Sequence, residues 1–436
     1  MSQLHLLRSR RFWPLFTAQF LGALNDNVYR FALIIFITFQ LAATSTIPAG
    51  TLVVLSGGIF ILPFFLFSAL AGQLADKYEK SGLIRWIKLA EIAVMGLGAV
   101  GFYARSPTLL MTVLFLMGTH SAFFGPLKYG ILPQHLAEHE LIGGNGLIQM
   151  ATYVAILCGA ALGGLIASIS TDSPRPMVAA VVGVALVGYW CARQIPQAAP
   201  SEPGLTLDWH LARSTRDLLR DAFATREAFT LLMTISWFWF LGATFLSLVP
   251  SYGKDLLHAD ERAVTLLNAA FTLGIGIGSL ACETLTRKRI ELGLMPFAAI
   301  GISLCAGLVW QLGLPVFPRE PLTLATFFTN SAARGMFIAL VGIGACGALY
   351  IVPLNTALQA RANPTQRARV IGALNVLNAV FMVASALFTA TLYQLRVSIP
   401  GIFLLVAGLN VLALIAALRA VPEFGTRARR LAGFSA

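Results

Sequence analysis

The chain has 436 residues, of which 57% are hydrophobic and 11% are charged, and its formal net charge is +12. Its mean hydropathy is +0.77, and its repeated long apolar stretches show no strand alternation, so the composition excludes a soluble domain and a transmembrane barrel. The basic residues lie between apolar stretches rather than on one compact face, which argues against a nucleic-acid-binding protein.

Turn and charge signals divide the chain into twelve predicted spans, whose boundaries are uncertain by several residues. The spans cover residues 12–41, 51–74, 84–104, 107–130, 143–169, 175–194, 229–252, 263–284, 292–313, 335–358, 367–393 and 398–419. A polar linker with three prolines and a basic amphipathic run from Leu207 separates the first six spans from the last six. We therefore predict an all-α polytopic membrane protein with twelve transmembrane helices. Its parts are an N-terminal six-helix bundle at 1–194, a cytoplasmic linker at 195–228 and a C-terminal six-helix bundle at 229–436.

The basic residues also predict the orientation. With the N-terminus in the cytoplasm, 22 lysines and arginines fall on inside segments and seven on outside segments, as the positive-inside rule requires. We therefore expect both termini to be cytoplasmic and the first span to be a retained helix rather than a signal peptide. The five cysteines form no CxxC pair, and we expect neither a metal nor a cofactor.

The first span carries a charge near its middle. A carboxylate at the bilayer centre costs roughly 2.5 to 3.5 kcal/mol on insertion scales, so Asp26 is expected to face a cavity, a partner or a transport pathway. Arg30 follows at the i, i+4 spacing that favours pairing, which would neutralise the helix for insertion. Asn25 and Asn27 flank Asp26 and add amide groups that also need partners, which favours a functional site that faces a cavity.

The second and third spans are joined by Gly72-Gln73-Leu74-Ala75-Asp76-Lys77. This run resembles the conserved cytoplasmic loop of the major facilitator superfamily, in which glycine permits a tight turn. We expect Gly72, Asp76 and Lys77 to form a gating loop in which the aspartate caps a helix or pairs with a basic neighbour. The alternative is an ordinary polar turn.

Spans three and four contain further polar residues. Lys88 and Glu91 are placed near one end of span three and are expected to anchor it at the membrane interface. His120 could titrate near neutral pH, but a lone histidine is more often a satisfied packing residue. Lys128 and Tyr129 lie near the cytoplasmic end of span four, where a lysine can snorkel to the interface.

Later spans add small residues and amides. Gly159, Gly163 and Gly164 in span five have the spacing that lets helices approach closely, and the alternative is the hinge that this region forms in transporters of the superfamily. Polar residues occur at equivalent levels of the two halves, and hydrogen bonding between helices is their default interpretation. They are Asn145, Gln149, Asn355, Gln359, Asn375 and Asn378.

Two short sequences recur in the two halves. Residues 72–75 (GQLA) match 278–281 (GSLA), and 126–128 (PLK) match 353–355 (PLN), at equivalent helix ends. Duplicated six-helix halves with a site near the midplane are typical of secondary transporters.

Four stretches of this chain resemble the lysophospholipid transporter family of the major facilitator superfamily. They are residues 20–27 (FLGALNDN) with Arg30, 125–132 (GPLKYGIL), 144–147 (GNGL), and 352–355 (VPLN) with Gln359. The resemblance implies the major facilitator fold and a flippase that moves lysophosphatidylethanolamine and lysophosphatidylglycerol across the bacterial cytoplasmic membrane. It also implies a separate acyltransferase-synthetase that reacylates them, and a monomeric state.

The same resemblance implies a site for the lipid headgroup. Arg30 and Lys128 would bind phosphate, while Asp26 would hold an ammonium group, hold the two cations in place, or bind a coupling cation. The other candidate residues are Asn27, Tyr129, Asn145, Gln149, Asn355 and Gln359. The chain departs from some relatives in having no basic residue between Arg226 and Lys254, and in having Gln149 where they have an acid.

Three other functions are weighed against lysolipid transport. A cation-coupled exporter of a small amphipathic or metabolite substrate would use Asp26 as its ion site. A polytopic enzyme acting on lipids would need a nucleophile with its base, an HxxxxD pair or a metal cluster on one face, and the sequence presents none of these. A receptor or scaffold is compatible with the same sequence.

Overall fold

The computed structural model describes residues 3–37, 49–170, 173–314 and 322–433. All twelve predicted spans correspond to long helices, although residues 38–41 of the first span lie outside the described residues. These helices are α1 (Trp13–Phe36), α2 (Ala49–Lys77), α3 (Lys80–Tyr103), α4 (Pro107–His135), α5 (Glu138–Ile169), α6 (Arg175–Ala192), α8 (Arg226–Ser251), α9 (Glu261–Leu285), α10 (Leu294–Leu312), α11 (Ser331–Arg361), α12 (Arg367–Gln394) and α13 (Ile399–Ala420).

Two short amphipathic α-helices, a 3-10 helix at Gln3–Arg8 and a π-helix at Tyr252–Leu256 complete the helices of the described residues. The basic run predicted in the linker forms α7 (Leu211–Ala222), and α14 (Pro422–Leu431) follows α13. In the described part of the chain, β pairing is limited to an isolated bridge between Ala259 and Leu322. The all-α prediction is therefore confirmed.

Ten of the described helices are long and apolar enough to cross a membrane. Among the twelve long helices, the two outside this set are α1 and α3. These two carry the charged residues Asp26, Arg30, Lys88 and Glu91 in their interiors. Charged residues in their interiors therefore distinguish these two helices from most of the others.

Capping residues explain where several helices begin. Glu79 precedes α3, and its carboxylate accepts backbone N–H bonds from Ser81 at 2.9 Å and from Gly82 at 2.6 Å. Burial alone would raise the pKa of Glu79, but these bonds and a third from the Ala198 N–H outweigh it, so its pKa lies below the ordinary value. Ser106 caps α4 in the same way.

Contacts divide the chain into two compact units. Unit 1 comprises Met1–Ala137, Val154–Ala222 and Arg361–Ala379; unit 2 comprises Glu138–Tyr153, Phe223–Ala360 and Val380–Ala436. Helices α5 and α12 each contribute residues to both units. The division into 1–194, 195–228 and 229–436 stays a prediction.

In unit 1, α1 and α4 run antiparallel. Near one end the Arg11 guanidinium donates to the His135 carbonyl at 3.1 Å, and further along the Tyr29 hydroxyl donates to the Leu110 carbonyl at 2.9 Å. The Tyr29 ring is fully buried against Phe102 of α3. Residues late in α1 therefore lie at the level of residues early in α4.

In unit 2, a polar contact joins three helices. The Asn410 amide of α13 donates to the Ala299 carbonyl of α10 at 2.8 Å, and its oxygen accepts the indole N–H of Trp237 of α8 at 3.0 Å. Asn410 is 1% exposed, so its amide is satisfied without water.

The predicted close packing at the glycines of span five is confirmed for α1 and α5. A Cβ built on Gly163 would lie 2.7 Å from the Val28 carbonyl oxygen and 3.0 Å from the Phe31 Cβ. A Cβ on the adjacent Gly164 would meet only the end of Ile35, at 3.8 Å. Gly163, and not Gly164, is therefore required for the approach of the two helices.

We expect Gly163→Ala to lower the free energy of unfolding by about 1 to 3 kcal/mol, because the added methyl group has no space against the α1 backbone. Gly164→Ala is the matched control and should change stability by no more than about 1 kcal/mol, in the stabilising direction, since alanine favours the helix. The measurement is thermal unfolding of the purified variants in detergent. Equal melting temperatures for the two variants would contradict this packing.

Candidate functional site

Asp26 lies in the interior of unit 1 and is 8% exposed. Its carboxylate accepts a hydrogen bond from the Ser121 hydroxyl of α4, with an oxygen–oxygen distance of 2.5 Å. The predicted pairing with Arg30 is wrong, because no ion pair joins the two residues in the described part of the chain. A partner on another helix, which i, i+4 spacing does not reveal, takes the place of Arg30.

Two cations flank Asp26 along the helix axes. Arg30 is four residues beyond Asp26 on α1, about 6 Å along the axis, and Lys128 is seven residues beyond Ser121 on α4, about 10 Å along it. Because α1 and α4 are antiparallel, these displacements have opposite directions.

Neither cation forms an ion pair with a described residue, although Asp26 lies within electrostatic range of Lys128. The Arg30 Nε is buried and has no hydrogen-bond partner. The Lys128 amine lies 4.8 Å from the centre of the Tyr129 ring and makes no ion pair with a described residue. We call the part of α1 and α4 that carries Arg30, Asp26 and Lys128 the charged wall of unit 1. It can therefore offer positive charge to an anionic group on either side of a carboxylate.

The two asparagines beside Asp26 have different surroundings. The Asn27 amide donates to the Ala23 carbonyl of its own helix at 2.8 Å, and its Cβ faces α5 at Gly159. The Asn25 amide donates to Glu91 Oε1 of α3 at 3.0 Å. Both asparagines therefore contribute to contacts between helices.

Sequence reasoning missed a buried ionic cluster beside Asp26. Lys88 is 0% exposed and its amine lies 2.7 Å from Glu91 Oε2, while His120 Nε2 lies 3.2 Å from the same oxygen. The predicted interfacial anchor at Lys88 and Glu91 is wrong, since α3 begins at Lys80 and Glu91 is midway along it. The prediction that His120 is a lone packing residue is also wrong. The i, i+3 spacing of opposite charges inside an apolar helix was the available signal.

Four candidate residues lie in unit 2. Asn145 and Gln359 form a reciprocal pair, in which each amide nitrogen donates to the other amide oxygen, at 3.1 and 2.7 Å. Hydrogen bonding between helices, the default interpretation, is confirmed for this pair. Gln149 is 3% exposed and its amide nitrogen has no hydrogen-bond partner, whereas Asn355 is half-buried.

Both roles predicted for Asp76 are present in unit 1. One carboxylate oxygen accepts the Ala368 N–H at 3.1 Å, and the other accepts the Arg369 N–H at 3.1 Å and the Arg369 Nε at 3.3 Å. A Cβ on Gly72 would lie 2.8 Å from the Arg369 Cα, so glycine permits this approach. Lys77 is half-buried, with its amine 5.7 Å from the Tyr78 ring. Asp76 thus caps the first turn of α12 and pairs with a basic residue on it.

The linker is held against the same loop. The Asp76 carbonyl accepts the N–H groups of Ser201 and Glu202, both at 2.8 Å, and Glu202 forms an ion pair with Arg369. Gln73 accepts the Asp208 N–H at 2.8 Å and donates to Ser214 of α7. The linker therefore extends the contacts of Asp76 and Arg369.

Comparison with known proteins identifies both a family and a set of relatives. The profile of the Major Facilitator Superfamily matches residues 15–329, which is more than half of the chain. Lysophospholipid transporter LplT of Pectobacterium carotovorum is 27% identical over 81% of this chain and 79% of its own length. The protein of the same name from Klebsiella pneumoniae is 29% identical, over 81% of each chain. The resemblance found in the motifs thus extends over about four fifths of the sequence.

Solved structures support the fold. The human organic anion transporter MFSD10 superposes with a TM-score of 0.70 at 16% identity, covering 93% of this chain and 99% of that one. The transporter FucP gives a TM-score of 0.67 at 15% identity, covering 94% and 98%. At this identity the likeness is one of fold, and it confirms the predicted fold class.

We expect Asp76→Asn to expose the start of α12, because the amide cannot accept the bonds that the second carboxylate oxygen accepts from Arg369. Hydrogen bonds to charged groups contribute about 1.5 to 3 kcal/mol, so opening should become about 10-fold or more frequent. The measurement is the rate of thiol labelling at Ala368→Cys, a buried position, with the protein's own cysteines as the baseline.

Glu202→Gln is the control for this prediction. It removes only the outer ion pair of Arg369 and should have a smaller effect on labelling. Equal rates for Asp76→Asn and the parent would contradict the capping role.

Proposed function

Because the chain belongs to the major facilitator superfamily, we propose that it is a secondary transporter that moves lysophospholipids across the bacterial cytoplasmic membrane for reacylation. Membership makes it a multi-pass membrane transporter rather than an enzyme. The relatives named as lysophospholipid transporters support the substrate class, and lysophosphatidylethanolamine and lysophosphatidylglycerol are the proposed substrates.

One observation carries the proposal: two cations that form no ion pair with a described residue flank a buried carboxylate in unit 1. A phosphate that leaves water needs charged donors to replace its hydration, and Arg30 and Lys128 can supply them. The ethanolamine ammonium needs an acceptor, which Asp26 can supply beside its bond from Ser121. A headgroup that carries a phosphate and an ammonium is therefore complementary to the charged wall of unit 1.

The proposal also covers the location of the protein in the cell, its partner enzyme and its gating loop. The transporter lies in the inner membrane with both termini in the cytoplasm, acts as a monomer, and delivers its lipid to a separate acyltransferase-synthetase. Gly72, Asp76 and Lys77 act as the gating loop, in which Asp76 and Arg369 hold the start of α12. Asn27, Tyr129, Asn145, Gln149, Asn355 and Gln359 are proposed to line or support the substrate route.

We expect Lys128→Ala and Arg30→Ala each to reduce lysolipid transport by about 10-fold or more, which corresponds to one lost charge-assisted bond. The assay uses proteoliposomes containing a fluorescent lysophospholipid, and albumin extraction of the outer leaflet measures what has crossed. Lys254→Ala, at an exposed lysine of unit 2, is the matched control and should transport as the parent does. A parent protein that moves no lysolipid would refute the proposed function.

We expect Asp26→Asn to affect the two substrates unequally. If the carboxylate holds the ammonium, transport of lysophosphatidylethanolamine falls about 10-fold, while that of lysophosphatidylglycerol, which has no cation, falls much less. The measurement is the ratio of the two rates in the same proteoliposomes. An equal loss for both lipids would contradict the ammonium contact. The cation-coupled exporter would be favoured by a different pair of results. The parent would move no lysolipid, and Asp26→Asn would abolish all ion-driven transport.

A further inference from the structure

Unit 1 contains a second polar cluster, which the proposed headgroup site does not use. It consists of Lys88 and Glu91 of α3, His120 of α4 and Asn25 of α1. Glu91 is its centre: one oxygen lies 2.7 Å from the Lys88 amine and 3.2 Å from His120 Nε2, and the other accepts the Asn25 amide at 3.0 Å. The side chains of Lys88, Glu91 and His120 are 0%, 4% and 7% exposed. Three helices therefore meet at one buried carboxylate.

The hydrogen bonds of this cluster are incomplete. Two residues of the cluster keep buried atoms without a hydrogen-bond partner: His120 at Nδ1 and Nε2, and Asn25 at Oδ1. A buried polar atom left unpaired costs roughly 1 to 3 kcal/mol, so a cluster that served only to stabilise the bundle would be expected to satisfy both. A neutral imidazole has one nitrogen with a lone pair, and that nitrogen can take up a proton.

The charges around His120 are few and come from two neighbouring helices. On α3 they are Lys88 and Glu91, and on α1 the charge is Asp26, which is within electrostatic range of His120, Lys88 and Glu91. Helix α2, which also packs on α4, carries charge only at Asp76 and Lys77 in its last turn. Helix α6 contributes the thiol Cys191, which is close to Lys88.

Charge balance links the cluster to Asp26. Lys88 and Glu91 cancel each other, so a proton on His120 leaves one positive charge in a buried region. A net buried charge is costly, and the ionised Asp26 carboxylate is the anion that can offset it. His120 and Ser121 are consecutive on α4, so one turn of this helix contacts both Glu91 and Asp26.

We propose that Lys88, Glu91 and His120 form a proton-binding site whose occupancy is coupled to the charge of Asp26. The proton adds to the ring nitrogen of His120 that carries the lone pair, which converts the neutral imidazole to imidazolium, and it leaves by the reverse step. By linkage, a ligand that binds at Asp26 changes the proton affinity of His120 by a certain factor. Protonation of His120 changes the affinity of that ligand for Asp26 by the same factor. The coupling to substrate rests on the proposed function, since Asp26 is the proposed ammonium contact.

The first test needs no substrate. Nitrogen-15 NMR of histidine-labelled protein in lipid nanodiscs follows each imidazole between about pH 5 and 8, the range in which histidine changes charge. The resonance missing in His120→Gln should respond to pH, and in Asp26→Asn this response should change, because the balancing anion is gone. If His120→Gln does not fold, replacing the other histidines assigns the same resonance. A His120 signal that does not titrate, or that Asp26→Asn leaves unmoved, would overturn the proposal.

The second test measures coupling to transport. In proteoliposomes, an imposed pH gradient should change the rate of lysolipid movement by the parent, and His120→Gln should lose this response while it retains exchange without a gradient. His139→Gln, at an exposed histidine, is the matched control and should respond as the parent does. Equal responses of His120→Gln and the parent would refute coupling through this site. A parent that moves no lysolipid refutes the proposed function, and the NMR titration then decides the proton site by itself.

Discussion

The low polarity of a membrane-spanning bundle makes a buried charge costly unless a neighbour balances it or forms a hydrogen bond with it, and this constraint organises unit 1. Most long helices of the chain avoid the requirement by their apolar composition. Helices α1 and α3 do not, and their charges find partners on α4: Ser121 for Asp26 and His120 for Glu91. The positions of α1, α3 and α4 are therefore tied together by polar contacts as well as by packing.

The same balance separates charges that hold the bundle together from charges that can bind a ligand. Lys88 is neutralised by Glu91 and is fully buried, so its charge is not offered to a ligand. Arg30 and Lys128 form no ion pair with a described residue, and they lie on opposite sides of Asp26 along the helix axes. An intramembrane cation without a counter-ion is costly, and an anionic ligand bound beside it would lower that cost.

At the end of α2, backbone N–H groups help to stabilise the buried charge of Asp76. The Asp76 carboxylate is fully buried, yet it accepts two N–H groups from the first turn of α12 as well as the Arg369 side chain. The absence of a side chain at Gly72 brings the α12 backbone within reach of Asp76. A carboxylate, a glycine and a helix N-terminus thus act together, and the linker adds Glu202 to the same arginine.

The sequence by itself determined the helical membrane fold, the number of long helices and the family resemblance, because apolar length and local motifs are properties of contiguous residues. It also predicted that Asp76 caps a helix, although not that the helix is α12. Tertiary structure alone decided the partners of the buried charges. Asp26 bonds to Ser121, 95 positions away, rather than to Arg30, and Glu91 meets His120 of a different helix. The physical reason is that a buried charge is stabilised by whichever group lies nearest in space, and distance across a bundle is not encoded in the spacing along one helix.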